Sequence, residues 1–242
     1  MKQLFMDTSS SMMRVCLLDE RKVLAETVEE GAKNHSVLLM PAVEKMMAQT
    51  HLLPKELDEI IVAKGPGSYT GVRMGVTTAK TLAWTLNCPL VLVSSLAVIA
   101  SGSDKEYIVP IINARRQCVY GALYQKKDGQ LIPLIKDGYY PLEGLLEKIK
   151  KQPIDEQSLA FIGEIDEFTE MIHDCFENAM IEKERATVGE RLSFVPKEVI
   201  QGEAIHQIVP TYLKKVEAEE KWEETHEATN EERQSFVEKT KH

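Results

Sequence analysis

The pattern of apolar and polar positions predicts strands separated by turns in the first part of the chain. Short apolar runs at residues 3–6, 58–63 and 90–93 predict buried strands. Residues 14–18 and 22–27 are two further β-rich runs on either side of a short charged turn, which predicts a β-hairpin. The first hundred residues therefore contain five predicted strands.

Two helices are predicted between these strands. The first covers residues 36–49, with Ser36 as its candidate N-cap and Pro41 tolerated near the first turn or as a kink. The second covers residues 71–86, which continue without a proline. It follows residues 64–70, whose glycines and proline require a turn.

The second half of the chain repeats this order at an offset close to 106 residues. A predicted strand at residues 107–112 ends in Asn113-Ala114-Arg115-Arg116, as the first strand ends in Asp7-Thr8-Ser9-Ser10. A hairpin, a helix, a strand and another helix are predicted to follow at residues 118–125 with 130–135, 142–149, 159–162 and 167–180. Two copies of one strand–hairpin–helix–strand–helix unit predict a duplicated α/β fold, with a domain boundary in the small polar residues 101–106.

The composition changes from residue 214 onward. The last 29 residues contain nine acidic and six basic side chains, with Trp222 and Phe236 as the aromatic residues. Strong helix formers predict a helix up to about residue 224, and a frayed tail beyond it.

Composition and charge exclude several classes of protein. The chain of 242 residues is 43% hydrophobic, and no run of eighteen apolar residues predicts a membrane span. An acid at position 7 interrupts any signal-peptide core, so we expect a cytoplasmic protein, and four widely spaced cysteines suit a reducing compartment. The net charge of −9 disfavours binding of nucleic acid by this chain alone.

Two polar segments are weak candidates for binding a phosphate group. Asp7, Thr8 and Ser9 follow the first strand, where an acid and hydroxyls could hold a magnesium–phosphate group. Gly65 and Gly67 lie between a strand and a helix, where the amides of the first helical turn could receive an anion. The spacing fits neither a P-loop nor a dinucleotide-binding fingerprint. A turn without a ligand is the alternative for both segments.

A stripe of small residues on the second helix predicts a close packing partner. Gly71, Gly75, Ala79 and Ala83 recur every four residues and share one face. A helix of the same chain or of a partner protein would account for the stripe. The first helix carries methionine-rich apolar residues on more than one side, and such surfaces adapt easily to a partner. The pattern therefore favours a protein–protein interface on these two helices.

No catalytic or metal-binding set is predicted. The six histidines include no pair at i, i+4 on a helix, and each cysteine lies in an apolar context typical of a core residue.

Several motifs together resemble the bacterial TsaB family, also called YeaZ. The most specific is Lys64-Gly65-Pro66-Gly67-Ser68-Tyr69-Thr70-Gly71-Val72-Arg73-Met74-Gly75. Supporting matches are Met6-Asp7-Thr8-Ser9, Asn34-His35-Ser36, Ala114-Arg115-Arg116 with Val119-Tyr120, Gly163-Glu164 and Pro210-Thr211-Tyr212-Leu213. The resemblance covers roughly residues 1–220. Asn113 departs from it, because the family usually has aspartate there.

The resemblance implies an α/β fold of the actin/Hsp70/sugar-kinase type, with two related lobes of mixed sheets flanked by helices. Residues 1–103 would form the first lobe with the partner-binding helices, and residues 104–200 the second. Residues 201–242 would form a helix that returns to the first lobe, followed by the charged tail.

The resemblance also implies a function. TsaB-like proteins are non-catalytic partners of TsaD, which transfers a threonylcarbamoyl group to the adenosine beside the anticodon of tRNA, and the ATPase TsaE joins the complex. A homodimer is implied when the chain is alone, and contact with tRNA only through the complex. No cofactor of the chain itself is implied, although ATP or ADP could lie at the complex interface. The alternative is an independent ATP-binding kinase or hydrolase of the same fold.

The partner interface is expected on the two helices of the first lobe. The residues assigned to it are Leu39, Val43, Met46, Met47, Gly71, Arg73, Met74, Gly75, Thr78, Ala79 and Leu82.

Overall fold

Two mixed β-sheets form the framework of the chain. The computed structural model describes residues 1–31, 35–185, 187 and 189–214. The first sheet contains β1 (Lys2–Asp7), β2 (Met12–Asp19), β3 (Lys22–Glu30), β4 (Glu59–Ala63), β5 (Leu90–Val93) and β11 (Glu198–Ile200), in the order β11-β5-β4-β1-β2-β3. The second contains β6 (Tyr107–Asn113), β7 (Cys118–Lys127), β8 (Gln130–Pro141), β9 (Leu159–Gly163) and β10 (Met180–Glu182), in the order β10-β9-β6-β7-β8.

The two sheets repeat one topology. In each, the first strand pairs antiparallel with the hairpin that follows it and parallel with the strand after the next helix. The order β5-β4-β1-β2-β3 of the first sheet corresponds element by element to β10-β9-β6-β7-β8 of the second. The predicted duplication into two α/β lobes is confirmed by this correspondence.

Five α-helices pack against the sheets in the described part of the chain. They are α1 (His35–Thr50), α2 (Tyr69–Leu86), α3 (Ser95–Ser101), α4 (Leu142–Lys150) and α5 (Thr169–Cys175). Helices α1 and α2 cover one face of the first sheet, and α4 and α5 cover one face of the second. Their apolar positions recur with helical spacing, so each helix buries one side against its sheet.

The remaining faces of the two sheets share a third core that contains α3. Strand β1 divides its side chains by alternation, since Leu4 and Met6 point to the α1–α2 side and Phe5 points into this shared core. Phe5 packs there with residues of the second sheet such as Ile108 and Ile162. All seven residues of α3 are buried, so the helix has no polar face.

Several predicted elements differ from the structure. Helix α3 and strands β10 and β11 were not predicted, because a fully buried helix lacks amphipathic spacing and three-residue strands give almost no periodic signal. The predicted helix 167–180 is wrong in extent: residues 166–168 form a 3-10 helix, and the α-helix ends at Cys175. Ser36 is not the N-cap, since α1 already includes His35.

The chain returns to the first lobe through a strand. β11 pairs with β5 and forms the edge of the first sheet, and residues 202–207 then form a 3-10 helix that contacts α2. Residues 208–214 contain no helix, and the rest of the predicted C-terminal helix lies outside the described residues. Residues 1–211 form one compact unit, and the lobe boundaries at 103 and 200 stay a prediction.

Within the described ranges, no helix combines the length and apolar character needed to cross a membrane.

A fully buried arginine connects the two lobes. Arg14 of β2 forms an ion pair with Glu184, which follows β10, and donates to the carbonyl of Arg185 at 3.2 Å. Arg14 also pairs with Asp7, with 3.6 Å between Nη1 and Oδ2. Burial raises the pKa of Glu184, although the Arg14 guanidinium beside it acts in the opposite direction. Two buried carboxylates therefore share the Arg14 guanidinium.

Replacement of Arg14 by methionine tests this dependence. R14M leaves Asp7 and Glu184 buried without their cation, so we expect a loss of about 3–5 kcal/mol in the free energy of unfolding at pH 7. The deficit should shrink at pH 5, because burial raises the pKa of Glu184 and protonation of that carboxylate removes uncompensated charge. Urea unfolding at both pH values measures it, with R21M on the exposed β2–β3 turn as the control, expected within about 0.5 kcal/mol of the parent chain. Equal losses for the two variants would contradict the role of Arg14.

Candidate functional site

The loop between β4 and α2 lies directly on the turn that follows β1. The Ser68 N–H donates to the carbonyl oxygen of Ser9 at 2.7 Å, and the Thr8 hydroxyl donates to the carbonyl oxygen of Gly71 at 2.6 Å. Ser68 also caps α2, because its side chain accepts a hydrogen bond from the Gly71 N–H. The glycine-rich motif of residues 64–75 is therefore hydrogen-bonded to the polar segment that follows β1.

Glycines permit this contact between two backbones. A Cβ atom at Gly71 would overlap the carbonyl oxygen of Thr8, and one at Gly67 would overlap the carbonyl oxygen of Ser9. Any larger residue would separate the loop from the turn. The glycine-rich motif thus has a structural explanation that needs no ligand.

The five residues proposed as a weak phosphate site do come together, but they bind one another and the surrounding backbone. The Asp7 carboxylate accepts from the Ser9 N–H at 2.9 Å, and the Gly65 N–H donates to the Ser95 hydroxyl at 3.1 Å. Gly65 also lies under the chain near Thr211, whose carbonyl oxygen would be 2.9 Å from an added Cβ. The structure favours the alternative of a turn without a ligand.

The small-residue stripe on α2 faces the chain's own first sheet. A Cβ at Gly75 would lie 2.6 Å from the Thr8 hydroxyl, and Ala79 and Ala83 are completely buried in the α1–α2 core. The interpretation that the stripe accommodates a helix of a partner protein is therefore wrong. Close packing of α2 on β1 and β4 is the reason for the small residues.

Part of the predicted interface is buried for the same reason. Leu39, Val43, Met46 and Met47 form the inner face of α1 and are at most 7% exposed. Their spacing is the spacing of a core stripe, which periodicity alone does not distinguish from an interface. The predicted residues with side chains that reach the surface lie on α2; they are Arg73, Met74, Thr78 and Leu82.

An apolar groove runs between α1 and α2. It has a volume of about 550 Å³ and is lined by apolar side chains together with Glu44. Met40 lies at its rim and is 45% exposed, and Val37 one turn earlier is 70% exposed. The sequence carried a signal for Met40, an apolar residue off the inner stripe of α1. The other residues that line the groove include Pro41, Val43, Met47, Leu82 and Leu86.

A tyrosine–arginine pair lies at the N-terminal end of the exposed face of α2. Arg73 donates to the Tyr69 hydroxyl at 2.6 Å, and its guanidinium carbon lies 5.0 Å from the centre of the Tyr69 ring. Both side chains are exposed. Tyrosine and arginine are the residue types that contribute most often to binding energy at interfaces.

The cleft between the two lobes is acidic. It has a volume of about 780 Å³, and among the residues that the structure describes its ionisable lining consists of Glu30, Glu164, Asp166, Glu167, Glu184 and Lys183. Such a lining repels the phosphates of a nucleotide. Asn113 also lines it, and its amide donates to the Glu167 carboxylate at 2.9 Å, a bond that an ionised aspartate at this position could not donate.

His35 begins α1, lies near Asp7 and Ser11, and is 4% exposed. Burial lowers its pKa, and both the charge of Asp7 and a hydrogen bond with the Ser11 backbone oppose this shift. Among the residues that the structure describes, no group of three acidic, cysteine or histidine side chains is arranged to hold a metal ion.

Comparisons with known proteins relate the chain to tRNA modification. Residues 22–222 match the family model described as TsaD: tRNA N6-adenosine threonylcarbamoyltransferase. The tRNA threonylcarbamoyladenosine biosynthesis protein TsaB of Bacillus subtilis (strain 168) is 40% identical over 237 residues, which cover 92% of this chain and 98% of that protein. The Escherichia coli (strain K12) protein of the same name is 29% identical over 132 residues, covering 53% of this chain and 57% of that protein.

Solved structures agree with the observed fold. YeaZ from Pseudomonas aeruginosa superposes with a TM-score of 0.70 at 22% identity, over 88% of this chain and 99% of that chain. A second structure from that organism, described as similar to peptidase YEAZ, gives a TM-score of 0.71 at 23% identity over the same shares. The predicted α/β fold with two related lobes of mixed sheets flanked by helices is confirmed, and it is the fold of these YeaZ structures.

Alanine at Gly71 tests the backbone contact between the loop and the turn. G71A should destabilise the chain by about 2–4 kcal/mol, because its Cβ meets the Thr8 carbonyl rather than a side chain that could move. G144A on α4 is the matched control, since nothing lies within 4 Å of an added Cβ there and alanine should gain about 0.5–1 kcal/mol. Urea unfolding measures both, and similar values for the two variants would contradict the close contact.

The buried His35 predicts a pH dependence of stability. The pKa of His35 is lower in the folded chain than in the unfolded chain. The contribution of the neutral imidazole to the free energy of unfolding is therefore present above pH 6.5, and it is lost as the pH falls through the pKa of the folded chain. H35Q should therefore lose less free energy of unfolding than the parent chain between pH 7.5 and 5.5. The exposed H51Q variant should keep the parent slope. Parallel slopes for H35Q and the parent chain would rule out this contribution.

Proposed function

The chain belongs to the TsaB family, within the wider family described by the TsaD model, and from that premise we propose that it is a non-catalytic partner of TsaD. Membership assigns it a role in tRNA threonylcarbamoyladenosine biosynthesis. In the proposed complex TsaD transfers the threonylcarbamoyl group to the adenosine beside the anticodon, and the ATPase TsaE joins the pair. This chain supplies a binding surface.

The exposed apolar groove between α1 and α2 is the observation that supports this role most strongly. Contiguous exposed apolar patches commonly mark sites of protein interaction. The groove is adjacent to the predicted interface residues of α2, and Tyr69 and Arg73 add two anchors of the type found at binding hot spots. A helical surface of TsaD with complementary apolar residues would cover it.

The state of the polar segments supports a non-catalytic subunit over an independent ATP-dependent kinase or hydrolase. The turn after β1 and the loop before α2 bind each other, so the Thr8 hydroxyl and the amides of Ser9 and Ser68 already have partners within the chain. The acidic lining of the cleft between the lobes opposes the approach of a nucleoside triphosphate.

The remaining partners follow from the same surface. In the absence of TsaD, the groove would bind a second copy of the chain and form a homodimer. Contact with tRNA would occur through the complex, because the net charge of −9 disfavours direct binding. ATP or ADP at the complex interface would be held largely by residues of the partner. The proposed location is the cytoplasm.

A charge placed in the groove tests the proposal. M40E should weaken binding to TsaD by about 30-fold or more, because a carboxylate at the groove rim must lose its water against an apolar partner surface. M180E on β10 is the matched control, since Met180 is 48% exposed and Met40 is 45% exposed. Isothermal titration of the cognate TsaD with each variant measures the affinity, and circular dichroism verifies that both are folded.

Two results would overturn the proposal. M40E binding TsaD as tightly as M180E would remove the groove from the interface. Steady ATP turnover by the isolated chain, free of TsaD and TsaE, would favour the kinase or hydrolase alternative.

A further inference from the structure

The carboxylate of Glu164 bridges the two lobes through backbone amides. Its Oε1 accepts a hydrogen bond from the Ser11 N–H at 2.9 Å, and its Oε2 accepts one from the Asn113 N–H at 2.9 Å. Ser11 belongs to the turn between β1 and β2, and Asn113 ends β6. One side chain therefore uses both of its oxygens to bind one main-chain donor from each lobe.

The two donors lie near the link between the first strand and the hairpin of each lobe, although at different positions: Asn113 is the last residue of β6, as Asp7 is of β1, and Ser11 lies directly before β2. Strands β1 and β6 have the same neighbours in their sheets, and each leads into the hairpin of its own lobe. The fold thus brings one N–H group from each lobe to the same carboxylate in the cleft. Converging main-chain N–H groups are a common way for proteins to hold an oxyanion.

We propose that the Ser11 and Asn113 amides form an anion site for a small carboxylate, which Glu164 fills from within the chain. The bound side chain holds the two lobes together at the mouth of the cleft. Without that side chain, a free monocarboxylate of the size of formate or acetate should bind between the same two amides.

The backbone around Glu164 is arranged to aim this side chain. The Glu164 N–H donates to the carbonyl oxygen of Ile111 at 2.9 Å, so the residue is anchored beside β6. The preceding Gly163 has a φ of +120°, and a Cβ there would overlap the same Ile111 carbonyl. Because side chains rarely adopt this region of φ, position 163 requires glycine.

Both donors are also held in place by other contacts. The Ser11 carbonyl accepts from the Gly31 N–H at 2.9 Å, which fixes the turn after β1 against the end of β3. The Asn113 side chain accepts from the Arg115 N–H at 2.8 Å and donates to Glu167. The amides would therefore keep their positions when Glu164 is truncated, as a preorganised site requires.

The charges around the site select the class of anion. Glu167 is hydrogen-bonded to Asn113, and Asp166 and Glu184 line the same cleft. These carboxylates repel a dianion more strongly than a monoanion. The site should therefore take formate or acetate in preference to inorganic phosphate.

Truncation of Glu164 followed by titration with acetate tests this inference. E164A loses two charge-assisted hydrogen bonds, and we expect its Tm to fall by about 5–10 °C. Sodium acetate, compared with sodium chloride at equal ionic strength, should raise the Tm of E164A in a saturable manner, by about 3–5 °C at tenfold its dissociation constant. Phosphate should give a smaller gain.

E167A is the matched control, because it removes the neighbouring carboxylate and leaves both amides bound to Glu164. Its Tm should respond to acetate no more than that of the parent chain. If E164A fails to fold even in acetate, the Tm of E164Q is compared with that of the parent chain. The glutamine keeps one acceptor oxygen and places an NH2 group against the other amide, so E164Q should be less stable than the parent chain. A gain with acetate specific to E164A supports the site.

Three outcomes would overturn the inference. They are a Tm of E164A equal to that of the parent chain, an equal acetate response of E164A and E167A, and an E164Q chain as stable as the parent. All of these measurements use the full chain alone, so their result is independent of whether TsaD is the partner.

Discussion

The contact between the loop before α2 and the turn after β1 governs much of the first lobe. Two backbones meet there with no side chain between them, and glycine at positions 67 and 71 permits the distance. The contact seats α2 on the first sheet and pairs the Thr8 hydroxyl and the Ser68 amide with backbone carbonyls. As a result the side of α2 that remains available is the outer one, next to α1.

A second set of polar contacts joins the two lobes. Arg14 lies between Asp7 and Glu184, and Glu164 binds one amide from each lobe. The chain's own charges therefore occupy the region where the two related halves meet. Under the proposed function, a duplicated fold that places its polar turns face to face serves as a rigid support for an apolar helical surface.

The sequence predicted what depends on local periodicity. Apolar runs located the buried strands β1, β4 and β5, and the shared hairpins revealed the duplication. Three kinds of feature were beyond it. Helix α3 has no polar face, the Arg14–Glu184 pair is 170 residues apart in the chain, and the stripe on α2 showed only that something packs closely there. Periodicity identifies a packed face but does not identify the surface that covers it.

Hydrogen–deuterium exchange of this chain with and without its cognate TsaD tests the central claim most directly. The account predicts slower exchange in α1 (residues 35–50) and at the exposed turns of α2 (residues 69–86), with unchanged exchange in α4 and α5 of the second lobe. Protection confined to the second lobe, or no protection at all in a mixture at saturating TsaD, would contradict it.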